Sequence, residues 1–265
     1  MVTLWRRARA ATSDVKDAEW LLLGLEILGV VGGVFLAFQL NSWVADRQLK
    51  REQTALVERL FDEAKTVVGE VRSINEYFAE AEDRQTKIIS GWSLDGSCPS
   101  PESWNELAGL SYFGTINPPS AAYNEMLGSG GLTLLPSGEL RRSVSAFHAE
   151  LDNFNRQETM LGARVMDVSG EFFREIPATY DASANRVVFA ADGYPAACAD
   201  PVYRSQAVQA LQARQGLTRW RRHVLARAIH MCQQLATATG SVCTPSEGGP
   251  LKPTDLELLE QYSVE

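Results

Sequence analysis

The chain has 265 residues, a formal net charge of −8 and a hydrophobic content of 45%. The acidic balance argues against a nucleic-acid partner, and the apolar content is typical of a folded domain rather than a disordered chain. No pair among the four cysteines is spaced as CxxC, so neither a zinc ribbon nor a thioredoxin-like site is indicated.

Residues 1–19 form a basic head, and residues 20–43 are the only apolar run long enough to cross a bilayer. As a helix, the stretch from Trp20 to Phe38 spans roughly 29 Å, which is the hydrocarbon thickness of a typical membrane. Tryptophans lie at both ends of the run, where their rings favour the interface. The sequence therefore predicts a single-pass membrane anchor, with the lipid bilayer as a partner.

The orientation of the anchor follows from length more than from charge. Basic residues are about equally frequent on the two sides of the run, and long domains translocate largely regardless of charge. We expect the head in the cytoplasm, the anchor in the inner membrane and the large domain in the periplasm. Cleavage as a signal peptide is the alternative, although no small-x-small site follows the run.

Four residues of the anchor fall on one helical face, namely Glu26, Gly29, Gly33 and Ala37. Small residues let two helices approach closely, and Gly29 and Gly33 form a GxxxG pattern. An ionisable residue in an apolar span usually faces a protein partner or water. The pattern predicts a helix–helix interaction with a second copy of the chain or with another membrane protein. The alternative is that Glu26 lies shallow and reaches the headgroups.

The anchor also carries a recognisable pattern, with Glu26-Ile27, Val30-Val31, Gly33-Val34, Ala37, Gln39, Asn41 and Trp43. This pattern resembles the opening of a family of uncharacterised bacterial single-pass membrane proteins. A second patch, from Tyr123 through Ser129-Gly130 to Leu140-Arg141, is similar to another segment of that family. The family implies no activity, and this chain departs from it at Gly29 and Gly32, where bulky apolar residues are expected.

A heptad pattern follows the anchor, over about residues 44–92. Apolar residues recur every seven positions along two registers, with Gln85 as the polar exception. The two registers contain Leu60, Val67, Ile74, Ala81 and Ile88, and Val57, Ala64, Val71, Phe78 and Trp92. We expect a long helix in an antiparallel bundle within the chain; a parallel coiled-coil dimer is the alternative.

Further helices are predicted at about 101–110, 121–127, 137–177, 205–215, 218–239 and 254–262. Ser100, Ser120 and Ser137 are the expected caps of the first three. Residues 178–201 read as a loop with a hairpin. The Gly128–Gly131 run is not followed by a Lys-Ser/Thr pair, so a helix end is expected there rather than a phosphate loop.

Candidate chemical groups are few. His148 lies beside an apolar stripe and is expected to be a partly buried structural histidine. A basic cluster surrounds His223 and is expected on a solvated helix face, with anionic lipid or an acidic partner as the alternative; it consists of Arg219, Arg221, Arg222 and Arg227. No HExxH, Ser/His/Asp order, nucleotide loop or spaced metal cluster is found, so no catalytic residue, cofactor or metal is predicted.

Together these patterns predict an all-α protein, in which one N-terminal transmembrane helix continues into a long helix of an antiparallel helical bundle. The expected divisions are a head at 1–19, an anchor at 20–43, a periplasmic bundle at 44–240 and a flexible tail at 241–265. We expect the cysteines to pair, with three connectivities open. The expected function is protein–protein contact as an accessory subunit or scaffold. The alternatives are a ligand-sensing bundle that signals through a membrane partner, and an enzyme whose site is assembled from distant residues.

Overall fold

The computed structural model describes residues 17–92, 98–112, 114–128, 130–174, 178–183, 186–189 and 198–262. Within these ranges it contains six α-helices and one antiparallel hairpin. The helices are α1 (Asp17–Gly91), α2 (Pro101–Ala108), α3 (Ala121–Gly128), α4 (Gly138–Arg174), α5 (Pro201–Thr239) and α6 (Pro253–Tyr262). The strands are β1 (Ala178–Asp181) and β2 (Arg186–Phe189), and Ala178 pairs with Phe189. The predicted helical class is confirmed, and the hairpin is its one β element among the described residues. Most of the basic head, residues 1–16, lies outside these residues.

The chain divides into two compact units, Met1–Ala55 and Leu56–Glu265, and α1 contributes to both. In the first unit the apolar side chains of α1 are exposed on every side; Leu25 is 69% exposed and Leu28 is 73% exposed. Among the described residues, this is the one helix long and apolar enough to cross a membrane. The boundary between units falls after Ala55, beyond the predicted end of the anchor at residue 43.

The second unit has a core of its own, and the heptad positions of α1 enter it as predicted. Both registers of the seam are buried or half-buried, and even the polar exception, Gln85, is only 1% exposed. Its amide Nε2 donates to the carbonyl of Glu106, 3.0 Å away, which pays part of the cost of burying it. The core is formed by residues of three helices, among them Val67 and Val71 of α1, Val144 and Phe154 of α4, and Val224 and Leu235 of α5.

Contacts between the long helices fix their directions. Trp92, directly after α1, donates from its indole nitrogen to the carbonyl of Cys198, just before α5. Phe78, earlier in α1, lies against Arg214 and Arg221, further along α5. Positions later in α1 therefore lie beside positions earlier in α5, so the two helices run antiparallel, as the bundle prediction requires.

Helix α5 differs from the prediction of two helices separated near Gly216. It continues without a break from Pro201 to Thr239. A glycine inside a helix costs about 1 kcal/mol relative to alanine, which is a weak break when the flanking turns are buried. Leu211 and Leu217 on either side are both buried, so packing maintains the helix through Gly216.

The caps of α2 and α4 are the predicted serines, but α3 is capped differently. Ser100 accepts a hydrogen bond from the Ser103 amide, and Ser137 accepts one from the Leu140 amide. At α3, the backbone amides of Ala122 and Tyr123, in the first turn of the helix, donate to the carboxylate of Glu63 from α1, at 2.7 and 3.4 Å. Ser120 is the capping residue that the local sequence predicts. Glu63 could not be predicted in this role because it lies about sixty residues earlier in the chain.

Residues 241–262, most of the segment that we expected to be a flexible tail, belong to the second unit and are docked against its helices. The guanidinium of Arg72 in α1 is 2% exposed and donates to the carbonyls of Glu247, Gly249 and Pro250, and to Asp255 Oδ2 at 3.1 Å. We refer to residues 241–262 as the docked segment. Its glycines and prolines predicted flexibility, and no local pattern identified the arginine that holds it.

All four cysteines form disulfides, which confirms the expected pairing. One joins Cys98 to Cys198, and the other joins Cys232, in the C-terminal part of α5, to Cys243 in the docked segment. No cysteine is free. The sequence allowed three connectivities, and the structure has this one.

Candidate functional site

The predicted association face lies on the exposed part of α1. Glu26, Gly29, Gly33 and Ala37 are all exposed, and a Cβ atom added at Gly29 or Gly33 would meet nothing within 4 Å. The face is thus open to another helix and makes no contact that uses its small residues within the described chain. Its use for association stays a prediction.

A second candidate lies inside the bundle and was not predicted. Two arginines of α5 are almost wholly buried: Arg214 is 1% exposed and Arg221 is 0% exposed. Both contact the same aromatic ring of α1, and Arg221 lies near two carboxylates from different helices. We define the buried arginine cluster as Phe78, Glu82, Glu158, Arg214 and Arg221.

The ring of Phe78 organises this cluster. The guanidinium carbon of Arg221 lies 4.0 Å from the ring centroid and that of Arg214 lies 4.8 Å from it, which are cation–π distances. The ring also stacks on Tyr112, with centroids 5.9 Å apart. The backbone of Gly114 lies so close to the ring that no side chain would fit there. Phe78 is therefore held from several sides.

The two guanidiniums keep unused hydrogen-bond donors. Arg214 donates from Nη1 to the carbonyl of Gly109, and Arg221 donates from Nη1 to the hydroxyl of Thr218 at 3.4 Å. Buried nitrogens without a hydrogen-bond partner remain, namely Nε of Arg214 and both Nε and Nη2 of Arg221. On the acidic side, Oε2 of Glu82 and Oε1 of Glu158 are buried without a partner too.

Electrostatics agree with this geometry. Burial, and after it the positive charge of Arg214, lower the pKa of Arg221 to about 10, although Glu158 and Glu82 oppose the shift. Burial also raises the pKa of the Glu158 carboxyl. The carboxylates are close enough to act on Arg221, yet among the described residues neither forms an ion pair with it within 4.0 Å. The cluster therefore holds buried charges of both signs that do not touch.

Arg221 corrects the expectation that the basic cluster around His223 lies on a solvated face. Spacing could have revealed this, because Arg214, Leu217, Arg221 and Val224 follow one another at intervals of three and four residues. Leu217 and Val224 are each 0% exposed, so the arginines between them lie on the core face of α5. The exposed neighbour Arg219 and the half-buried Arg222 lie elsewhere on the helix.

His148 is a half-buried histidine whose ring stacks on Tyr123 with centroids 3.2 Å apart and planes 8° from parallel. Burial lowers its pKa to about 4, although Asp152 opposes this shift. This agrees with the structural role predicted for it. Within the part of the chain that the structure describes, no group of histidines, cysteines and carboxylates is arranged to hold a metal ion.

A shallow groove beside α3 carries charges that are already paired. Arg59 and Glu125 meet there through two hydrogen bonds of 2.5 and 2.9 Å, and Glu63 is engaged with the start of α3. These polar groups of the groove are hydrogen-bonded to protein partners, whereas several of those in the buried arginine cluster have none.

No family model, no curated protein and no solved structure matches this chain. The resemblance to uncharacterised bacterial single-pass membrane proteins therefore stays a prediction that rests on the anchor residues and on the patch after Tyr123.

Proposed function

We propose that the chain is a single-pass inner-membrane protein whose helical bundle lies in the periplasm and acts through contacts with other proteins, as an accessory subunit or scaffold. The observation that carries this proposal is the exposed part of α1. Its most apolar window has a mean hydropathy of 1.9 and none of it is buried in the described chain. In water such a surface would be strongly unfavourable, at about 25 cal/mol per Å² of apolar area, whereas a bilayer covers it.

The disulfides support a periplasmic bundle. Disulfide bonds persist in oxidising compartments and are rare where cellular thiols keep cysteines reduced. Both bonds lie after the anchor in the chain, and no cysteine is left free.

The association face supports a role in protein contact. A carboxylate in an apolar span costs about 2.5–3.5 kcal/mol on insertion scales. A second transmembrane helix, from another copy or from a different membrane protein, would offset this cost by hydrogen bonding to Glu26. The exposed glycines Gly29 and Gly33 leave room for that helix to approach.

Topology is tested by fusing alkaline phosphatase, or a reporter that is active only in the cytoplasm, after Glu265. The proposal expects an active phosphatase and an inactive cytoplasmic reporter in a bacterial host. The opposite pair of activities would overturn the periplasmic placement.

Association is tested by crosslinking the protein in native membranes. Gly33→Ile adds bulk that blocks close approach, and Glu26→Leu removes the carboxylate while easing insertion, so both should reduce crosslinked species by several-fold. Gly24→Ile is the matched control, because Gly24 lies about 180° around the helix from Gly33 and also has open space. Crosslinks that survive both substitutions would mean that this face contacts lipid only.

A second candidate function is a ligand-sensing bundle that signals through a membrane partner. The unused donors and acceptors of the buried arginine cluster favour it, because such groups are what a polar ligand would engage.

A further inference from the structure

The buried arginine cluster has an unbalanced set of hydrogen-bonding groups. Three guanidinium nitrogens and two carboxylate oxygens are buried with no partner. A buried donor or acceptor left unpaired costs about 1–3 kcal/mol, and more when it is charged, so native proteins rarely keep several together. An occupant that both accepts and donates hydrogen bonds would remove this cost.

The open side of Arg221 indicates the acidic half of that occupant. Its Nη1 is engaged by Thr218, so Nε and Nη2 are free together. These two nitrogens form one edge of the planar guanidinium, and their parallel N–H bonds match the two oxygens of a carboxylate. Arg214 Nε is a third buried donor without a partner, and its guanidinium contacts the same Phe78 ring, 4.8 Å from the centroid against 4.0 Å for Arg221.

The free oxygens of Glu82 and Glu158 indicate the basic half. A simple anion would leave these two carboxylates unpaired, and a simple cation would leave the two guanidiniums unpaired. The cluster carries two positive and two negative groups, so an occupant with no net charge keeps it balanced. We propose that the buried arginine cluster binds a small zwitterion, with its carboxylate on Arg221 and its ammonium between Glu82 and Glu158.

Access to the cluster passes through one aromatic layer. Phe78 is 2% exposed, but the rings it contacts, Tyr77 and Tyr112, are 58% and 59% exposed. The proposal therefore requires this aromatic layer to move for the ligand to enter. Ordered water is the competing occupant, because it too accepts and donates, and the experiment distinguishes the two.

This site deepens the second candidate function and does not use the anchor or its association face. Its failure would remove the ligand-sensing alternative and leave the proposed membrane topology and protein contacts untouched.

The test measures the melting temperature of the full chain in detergent with each of the twenty standard L-amino acids added singly. A ligand that occupies the site at 100-fold excess over its dissociation constant should raise the melting temperature by about 5 °C or more. Acetate and methylammonium, which carry only one of the two charges, should give no comparable shift. If no amino acid exceeds these two controls, the cluster holds water only and the proposal is wrong.

Variants locate the binding. Glu158→Gln keeps the size of a half-buried side chain and removes one acceptor charge, so it should weaken binding at least tenfold by isothermal titration calorimetry. Arg221→Lys removes the two-pronged edge and should abolish binding; its matched control is Arg222→Lys, the next residue on α5, outside the cluster. Since a buried lysine can prevent folding, Glu158→Gln decides the outcome if Arg221→Lys unfolds. Equal affinity in Glu158→Gln and the unaltered chain would place any bound amino acid elsewhere and overturn the proposal.

Discussion

At the scale of single residues, His148 shows how burial turns a titratable group into a pH-dependent source of stability. Its folded pKa is lowered to about 4, below the ordinary value of 6.5. Between these two pH values the unfolded chain binds a proton that the folded chain refuses. The free energy of unfolding therefore falls as the pH drops from 6.5 towards 4, and above 6.5 this contribution is fully present.

We predict that His148→Phe weakens this dependence. Phenylalanine can still stack on Tyr123 but takes up no proton, so the variant should lose about 2 kcal/mol less stability than the unaltered chain between pH 7 and pH 4. Urea unfolding at pH 7, 5.5 and 4 measures the difference. The pKa of His230 is also lowered, by burial and then by Arg227, but His230 is present in both proteins and cancels. Parallel curves for the two proteins would contradict the prediction.

Residues also show where sequence reasoning stops. The half-buried state of His148 was predictable from its place beside an apolar stripe. The contact of Phe78 with two arginines was not, because hydrophobic periodicity marks a position as core without identifying what lies across from it. Arg221 was assigned to a solvated face because it is charged, although its spacing from Leu217 and Val224 placed it on the core face of α5.

At the scale of elements, the docked segment depends on one backbone shape. Gly248 and Gly249 both have positive φ, at 74° and 75°, a conformation that other residues adopt only with strain. They differ in their surroundings, because a Cβ on Gly248 would lie 2.8 Å from Arg72 Nη2, whereas one on Gly249 would meet nothing within 4 Å. The turn brings three carbonyls to one guanidinium, and the glycine at 248 makes room for it.

We predict that Gly248→Ala destabilises the protein more than Gly249→Ala. Gly249→Ala adds only the strain of a left-handed residue, about 1–2 kcal/mol. Gly248→Ala adds the same strain and pushes against Arg72, whose buried pairing with Asp255 costs about 3–5 kcal/mol when broken. Urea unfolding measures both losses, and limited proteolysis after residue 243 should be faster in Gly248→Ala. Equal losses of stability in the two variants would mean that the Arg72 side chain moves away from the new Cβ atom without losing its interactions, which would contradict the prediction.

Elements whose signals are local were predicted well, and those that depend on distant partners were not. The heptad positions of α1 and the serine caps of α2 and α4 can be recognised from residues that are close together in the sequence. The cap of α3 by Glu63 and the docking of residues 241–262 by Arg72 join positions far apart in the chain, and no short window contains both sides.

At the scale of the whole molecule, the two disulfides close loops of very different length. Cys98 and Cys198 are 100 residues apart, and Cys232 and Cys243 are 11 apart. In the chain-entropy account, a cross-link restricts the unfolded chain more strongly when its loop is longer.

We predict that the two bonds contribute unequally to stability. Replacing Cys98 and Cys198 with alanine should cost about 4–5 kcal/mol, whereas replacing Cys232 and Cys243 should cost about 2–3 kcal/mol. Chemical unfolding of each double variant measures the cost, and thiol counting on the denatured, unreduced protein should find none free in the unaltered chain. A larger loss for the shorter loop would show that local contacts around Cys232 outweigh chain entropy.

The binding of the docked segment by Arg72 also has a consequence for biosynthesis. The ribosome makes Arg72 between 175 and 183 residues before the carbonyls and the carboxylate that receive its guanidinium. Until then the bundle lacks the groups that make burying this charge tolerable, so the nascent bundle stays open at that point. Its final closure must follow translation of residues 247–255, because products interrupted before them lack both the acceptors of Arg72 and the leucines that pack against the core from the docked segment, Leu251, Leu258 and Leu259.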